Sequence, residues 1–539
     1  MERFAAIALV LVSGAFLPSA RAAGKSCEQL AQLALPNTKI TSAQSVAAGA
    51  FEPPANLAPW LARDPSLFKR LPAFCRVTAD AQPTTDSDIK IEVWMPASGW
   101  NGKFRGQGNG GFAGEIDYAA LAGAVDQGYA TAGTDTGHAA EGTDAKWALG
   151  HPEKIIDFAY RAIHEMTAIA KAAVKAFYGD APQRAYFSNC SNGGRQALME
   201  AQRYPDDYDG IIAGAPANYW THLLASALWD AQSTTEDPAS YIPTSKIPTI
   251  AKAVNAACDA EDGVADGVLN DPRRCRFQPA SLLCKANDSD SCLTQPQITA
   301  LKKLYEGAHD SKGHEIFPGF LPGGEDGPGG WGLWITGEGP GKSLLFAFGG
   351  GYFTDMVYGQ PDWNYKKTNF DEAVAASDNK FAGVLNAMDT NLKPFASRGG
   401  KLIIYHGWND AAISPLNTIN YYNNVEHKMG KQEAGSFLRL YMVPGMQHCG
   451  GGPGPDVFGQ FGSSAQNNPQ HNMYLALEQW VEKGEAPGAI VASKLKPGAA
   501  GPVVQETRPL CVYPQVAKYK GSGNTNDASN FVCRLPSSN

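Results

Sequence analysis

Apolar positions along the chain fall into short runs with two different periods. Ile89-Lys90-Ile91-Glu92-Val93-Trp94-Met95 alternates apolar and polar residues, the pattern of a strand with one buried face. Lys103-Phe104-Arg105 is a second short strand candidate. Ala185 to Ser188, Lys401 to Tyr405 and Leu438 to Val443 are close to continuously apolar, as strands of a doubly covered parallel sheet must be. Helical spacing covers Ile155 to Phe177, recurs through Ala197, Leu198 and Ala201, and returns at Met473 to Lys483. Strands alternating with helices place the chain in the α/β class. The N-terminal stretch holding Cys27 and Cys75 and the final stretch holding Cys511 and Cys533 read as loop-rich.

The strand at Ala185 breaks at Asn189-Cys190-Ser191-Asn192-Gly193-Gly194 and restarts as a helix. A serine at the tip of such a turn is what a nucleophile elbow requires. Small residues must follow it, and the helix N-terminus points free N–H groups at any oxyanion formed there. The usual Gly-x-Ser-x-Gly spacing is absent, so a plain βα turn is the competing reading. Two other strands end in chemistry-bearing residues. Lys401–Tyr405 runs into His406-Gly-Trp-Asn-Asp410, and Leu438–Val443 into Pro444-Gly-Met-Gln-His448-Cys449. Ser191, Asp410 and His448 therefore follow in the order Ser…Asp…His, each beyond a strand end. A serine needs a neutral imidazole to take its proton, and the imidazole needs a carboxylate to fix its tautomer. His406 is the rival base, but four residues before Asp410 on the same strand end it reads as a packed neighbour.

Gly106-Gln107-Gly108-Asn109-Gly110-Gly111-Phe112 follows the Lys103 strand. Its backbone is open to donate to an oxyanion, or it is only a flexible turn; it lacks the Gly-Lys-Ser/Thr ending of a phosphate loop. The residue after the nucleophile, Asn192, is the other amide donor, and its side chain is also within reach of substrate.

Composition, charge and length change the picture further. Arg3, an apolar run from Ala5 to Leu17 and an Ala20-Arg21-Ala22 cleavage pattern mark residues 1–22 as a signal peptide, so the mature protein is expected to be secreted or periplasmic. No later run reaches the 18 apolar residues of a membrane span. Ten cysteines, an even number, suit an oxidising compartment, where they can pair. A net charge of −8 without a basic block argues against nucleic-acid or membrane partners. The 539 residues exceed one ordinary domain. From about Tyr219 to Pro394 turn residues crowd around isolated aromatics, as in Gly319–Trp334, which suits an insertion covering a pocket.

Cys190-Ser191 and His448-Cys449, with Asp410 between them, resemble the Cys-Ser–Asp–His-Cys motif of the tannase and feruloyl esterase family, and the likeness runs through the whole mature chain. It implies an α/β-hydrolase core (residues 23–217 and 398–539) interrupted by a lid (218–397). It implies disulfides Cys190–Cys449, Cys27–Cys75, Cys258–Cys275, Cys284–Cys292 and Cys511–Cys533, and an oxyanion hole from Gly110, Gly111 and Asn192. The stretch Cys258 to Asn270 adds Asp259, Asp262 and Asp266 interleaved with glycines, hard oxygens that suit Ca²⁺ or merely an acidic turn. The resemblance implies a structural calcium held by those three side chains and the carbonyls of Val264 and Val268. Its activity would be hydrolysis of small aromatic esters, of hydroxycinnamic or hydroxybenzoic acids, with Trp331, Trp334, Phe346, Phe348 and Phe353 as candidates to meet the ring or to fill the lid core. The alternatives are hydrolysis of mono(2-hydroxyethyl) terephthalate, an activity within the same family, and a non-catalytic polyphenol- or carbohydrate-binding homologue. The terephthalate activity implies a lid arginine for the free carboxylate, yet no arginine lies between Arg276 and Arg398.

Overall fold

The computed structural model describes residues 24–54, 65–462, 464–498 and 501–536; the signal segment 1–22 lies outside them. In chain order the strands are β1 (Thr38–Val46), β2 (Phe74–Ala81), β3 (Ile89–Pro96), β4 (Lys103–Gln107), β5 (Ala130–Thr134), β6 (Arg184–Cys190) and β7 (Gly210–Gly214), then a small hairpin of β8 (Gly307–His309) and β9 (Glu315–Pro318), then β10 (Lys401–Gly407) and β11 (Leu438–Val443). Nine of them form one sheet in the order β1-β2-β3-β5-β4-β6-β7-β10-β11. β1, β2, β3 and β5 pair antiparallel, and every pairing from β5 through β4 to β11 is parallel. This is the α/β arrangement that the alternating pattern predicts. After β4 the chain goes to β5 on one side, and then returns to β6 on the other. The carboxyl ends of β4 and β6 thus form the switch point at which α/β sheets bind ligands.

The N-terminal stretch departs from its loop-like reading. It supplies β1 and β2, and Cys75 lies within β2, bonded to Cys27. β1 is an edge strand whose residues are all partly or fully exposed, so it never acquires the apolar alternation that reveals a strand. The helical run before β6 is broken by one π turn, Asp157–Arg161, between helices Pro152–Ile156 and Ala162–Tyr178. The C-terminal stretch carries two short antiparallel pairs, one joining Ile490–Lys496 to Val503–Leu510 and the other Val516–Tyr519 to Phe531–Arg534.

Between β7 and β10 the chain leaves the sheet and builds helices Trp220–Thr235, Ile247–Cys258, Gln295–Glu306, Leu344–Gly351 and Phe370–Leu385. This insertion is less irregular than its turn-rich sequence suggests. Leu224, Phe317, Tyr352 and Phe353 of the insertion share one apolar cluster with Phe112, Phe158 and Ile413 of the sheet body. The insertion is therefore packed onto the body by burial, not tethered to it by two linkers.

The turn after β6 explains its glycines by close approach. A Cβ at Gly194 would lie 2.3 Å from the Gly214 carbonyl oxygen of β7, so the helix Asn192–Arg203 can sit this close to the sheet only without one. Gly194→Ala is expected to cost about 1–3 kcal/mol through overpacking. Urea unfolding of the variant against the parent measures it.

Candidate active site

Ser191 sits between β6 and the helix Asn192–Arg203 with φ +66° and ψ −125°, a left-handed conformation that a non-glycine residue adopts only under constraint. Three backbone bonds hold it there. Its amide donates to the Gly214 carbonyl (2.9 Å), and its carbonyl accepts from the amides of Arg195 (3.0 Å) and Ala217 (3.1 Å).

Asp410 follows β10 and is fully buried at its carboxylate. Oδ1 accepts from the amides of Ala412 (2.8 Å) and Ile413 (2.9 Å). Oδ2 accepts from His448 Nδ1 at 2.8 Å and from His406 Nε2 at 3.1 Å. Burial opposes the negative charge, but His448, the His406 hydrogen bond and the His448 hydrogen bond outweigh it and hold the carboxyl well below the ordinary aspartate range. An ionised carboxylate only accepts, so His448 carries a proton on Nδ1, and in its neutral form the lone pair is on Nε2. His406 is fully buried, with Nδ1 engaged by the Thr418 hydroxyl (2.8 Å) and Nε2 near both Ile413 O (3.1 Å) and Asp410. It is the packed neighbour expected, and it also anchors the carboxylate, a contact that spacing on one strand end does not reveal.

A disulfide joins Cys190 to Cys449 with Cα atoms 5.9 Å apart, bringing the Ser191 and His448 loops together. The other four bridges are Cys27–Cys75, Cys258–Cys275, Cys284–Cys292 and Cys511–Cys533, so all ten cysteines are paired. Against His448 stands the ring of Trp334, 5.1 Å between centroids and near perpendicular. Trp334 stacks over Phe348 (6.4 Å), and Phe348 packs on Phe112 (5.4 Å) beside the glycine loop. These rings make an aromatic wall from the histidine to the glycine loop. The other three lid aromatics are not part of it. Trp331 is wholly buried against Tyr305 and Phe320, and Phe353 against Tyr352 and Trp363, so both fill the lid core instead of meeting substrate. Phe346 packs on Tyr365, since two residues along a helix turn it roughly 200° from Phe348.

In the glycine loop, Asn109 is bonded at every polar atom. Its amide donates to Gln196 Oε1 (2.9 Å), and its side chain donates to the carbonyls of Glu115 (2.8 Å) and Thr134 (2.7 Å). Its own side-chain oxygen accepts from Gln196 Nε2 (3.2 Å), and its carbonyl from Asn192 Nδ2 (3.4 Å). Asn192 Oδ1 in turn accepts from Arg195 Nε (2.9 Å). The Asn192 side chain is therefore committed to the protein, not to substrate. Arg195 is fully buried, donates to the carbonyls of Ala159 (2.8 Å) and Phe158 (3.1 Å), and lies over the Phe158 and Trp220 rings. Burial pulls its pKa down to about 9, which leaves it charged at neutral pH. Farther along, His138 Nε2 bonds the Phe112 carbonyl (2.8 Å) and its ring stacks on Trp147. Burial lowers its pKa to about 4, so it is a neutral donor. Asn109, Arg195, Gln196 and His138 escape sequence reasoning. The available signal is the polar trio 192, 195 and 196 in a helical turn whose neighbouring positions 193, 194, 197 and 198 are Gly, Gly, Ala and Leu.

In the loop Asp259–Asn270, one oxygen of each aspartate is used internally. Asp259 Oδ1 accepts from the amides of Asp266 (3.2 Å) and Gly267 (2.8 Å), Asp262 Oδ1 from Val264 N (3.0 Å) and Asp266 Oδ1 from Val268 N (3.1 Å). Asp266 Oδ2 pairs with Arg508 (2.7 Å), while Asp262 Oδ2 is buried without a partner. Burial pushes the Asp262 pKa up to about 6. Among the described residues the three carboxylates do not converge within 4.8 Å of one another.

The aromatic wall yields a pair of contrasting variants. Trp331→Ala is expected to cost about 3–5 kcal/mol in stability, its main effect. Trp334→Ala should raise KM for aromatic esters with a smaller loss of stability. Thermal unfolding and steady-state kinetics on both variants check this.

With this geometry in place, the comparisons with known proteins are specific. A sequence model described as tannase and feruloyl esterase matches residues 75–534. An uncharacterized esterase of Xanthomonas campestris pv. campestris is 42% identical over 96% of this chain and 93% of its own. A probable feruloyl esterase B-2 of Aspergillus terreus is 32% identical over 85% of this chain and 86% of its own. The crystal structure of feruloyl esterase B from Aspergillus oryzae superposes with a TM-score of 0.85 at 30% identity, covering 94% of this chain and 99% of that one. The chain belongs to the tannase and feruloyl esterase family, carboxylic ester hydrolases on an α/β-hydrolase fold.

Proposed function

We propose that Ser191 is the nucleophile, His448 the general base and Asp410 its orienting carboxylate, in a hydrolase of esters of hydroxycinnamic or hydroxybenzoic acids. The observation that carries this reading is the Asp410–His448 hydrogen bond, bridged through Cys190–Cys449 to a serine in a left-handed turn, with an aromatic wall beside it. His448 Nε2 takes the Ser191 proton as Oγ attacks the ester carbonyl carbon. The resulting oxyanion accepts from the Asn192 amide, at the N-terminus of the Asn192–Arg203 helix, and from the amide of Gly110 or Gly111 in the loop after β4. Collapse expels the alcohol, protonated by His448, and leaves an acyl-enzyme. Water, deprotonated by the same imidazole, then releases the acid. A flat acyl ring fits along Trp334 and Phe348.

The names of the relatives support feruloyl esters as the substrate class. The terephthalate monoester is disfavoured because the lid has no arginine between positions 276 and 398 and Lys342 is exposed. Five disulfides support export, and among the described residues no helix is long and apolar enough to cross a membrane.

The expected outcome on methyl ferulate, methyl gallate and mono(2-hydroxyethyl) terephthalate is turnover of the first two well above the third. Ser191→Ala should lose it by several orders of magnitude with the fold intact, and Asp410→Asn about 10⁴-fold in kcat by favouring the wrong tautomer. Activity persisting in Ser191→Ala removes that residue from the role.

We also propose that the loop closed by Cys258–Cys275 takes up a structural Ca²⁺ by drawing together the Asp259, Asp262 and Asp266 carboxylates, which stand apart in this structure, with the Val264 and Val268 carbonyls. A buried carboxylate oxygen without a donor, Asp262 Oδ2, is what a cation would satisfy, and Arg508 neutralises only Asp266. The ion would stiffen the lid base and take no part in chemistry. A chelator should lower the melting temperature, and Ca²⁺ should restore it better than Mg²⁺. Loss of activity without loss of stability would argue for a catalytic metal instead.

A further inference from the structure

The glycine-rich stretch Gly319–Gly330 is crowded with turn residues, yet the structure ties it to the loops that carry Asp410 and His448. Asn409, next to Asp410, donates from Nδ2 to the Gly323 carbonyl (2.5 Å), and Ser414 Oγ donates to the Gly319 carbonyl (2.7 Å). Gln447, next to His448, makes two bonds: Nε2 to the Asp326 carbonyl (2.7 Å), and Oε1 from the Gly329 amide (3.1 Å). All three side chains are at most 2% exposed. The glycines follow from these contacts. A Cβ at Gly329 would lie 2.7 Å from Gln447 Oε1, one at Gly327 3.2 Å from Gln447 Nε2, and one at Gly324 2.7 Å from the Asn409 carbonyl. Within the stretch, buried Glu325 accepts from the Gly323 amide and the Tyr305 hydroxyl (2.6 Å), so its own turn is internally braced.

The stretch leads at once into the one-turn helix Trp331–Trp334, whose first residue is anchored in the lid core and whose last stands against His448. The Trp331 amide bonds the Glu325 carbonyl (2.8 Å), so the braced turn sets where the helix begins. The position of Trp334 relative to the imidazole is thus set from two sides. One is the lid core. The other is the amide side chain immediately before the imidazole itself.

We propose that Gln447 is a positioning residue for specificity. By fixing the 326–329 turn, it holds Trp334 at the distance from His448 that admits a flat aromatic acyl group, and it makes this stretch a wall of the site and not a door. The inference rests on the reading of Ser191 and His448 as the catalytic pair and names the element that selects the acyl group. A small acyl group such as acetyl does not reach the Trp334 face, so its turnover does not depend on where that ring stands. An aromatic acyl group does.

The test compares kcat and KM for 4-nitrophenyl acetate and 4-nitrophenyl ferulate in the parent, Gln447→Ala, Gln447→Glu and Ser191→Ala. Gln447→Glu keeps the acceptor for Gly329 and loses the donor for Asp326. The ratio of kcat/KM, ferulate over acetate, is expected to fall about tenfold or more in Gln447→Ala, carried by KM, and by less in Gln447→Glu. Gly329 has no left-handed φ, so Gly329→Ala is tolerated by the backbone and pushes on Gln447 from the lid side. It should lower the same ratio and serves as the readout if Gln447→Ala does not fold. Equal losses on both esters, or no change in the ratio, overturn the inference. Parental rates in Ser191→Ala would instead sink the catalytic assignment on which it rests.

Discussion

The Cys190–Cys449 bridge is the constraint on which the site depends. β6 and β11 are separated in the sheet by β7 and β10, three strand spacings or about 14 Å. Ser191 follows the first and His448 the second, so the two can meet only if their loops lean toward each other across the tops of the intervening strands. The bridge closes that gap to 5.9 Å between Cα atoms. Both loops carry the cost in their backbones, since Ser191 and Cys449 each have φ near +65°. Backbone bonds from Gly214, Arg195 and Ala217 hold the strain on the serine side.

Charge burial around this bridge follows one logic: each buried ion is fixed by groups that cannot leave. Asp410 sits among four donors, two amides and two imidazoles. Arg195, without a carboxylate in contact among the described residues, rests on backbone carbonyls, Asn192 Oδ1 and two aromatic faces. Through Asn192 and Gln196 the helix behind the serine clasps Asn109, the residue preceding Gly110. Donors arranged before reaction need no reorganisation when an oxyanion forms, which is where most electrostatic catalysis arises.

The insertion performs two tasks with one set of packing contacts. Its core aromatics, Trp331 and Phe353, are spent on stability, which frees Trp334 and Phe348 to face the histidine and the glycine loop. Its glycines allow polar side chains of the sheet body to reach main-chain groups of the lid, so the aromatic wall and the loops of Asp410 and His448 share one register.

By itself, the sequence determined the elements with an apolar run long enough to show a period; β5 and β7, buried throughout but five residues each and rich in Gly, Ala and Thr, carried no such signal. β3, β6, β10 and β11 and the helices at Asn192 and Met473 were legible because a buried strand or helix face must be apolar at a fixed period. The order Ser191, Asp410, His448 was legible because each follows such an element, and the cysteines beside two of them made the family resemblance specific. What the tertiary structure alone decided lacks periodicity. β1 is an exposed edge held by backbone pairing, which leaves no hydrophobic signature. The separation of lid aromatics into core and wall depended on which face of a short helix met His448, and composition is the same on either face. His406 on Asp410, Arg195 on Asn192 and Gln447 on the lid are contacts between polar side chains and groups distant in sequence or hidden by a turn. Any polar residue offers such a bond, and only the folded backbone determines which partner lies within hydrogen-bond reach of it.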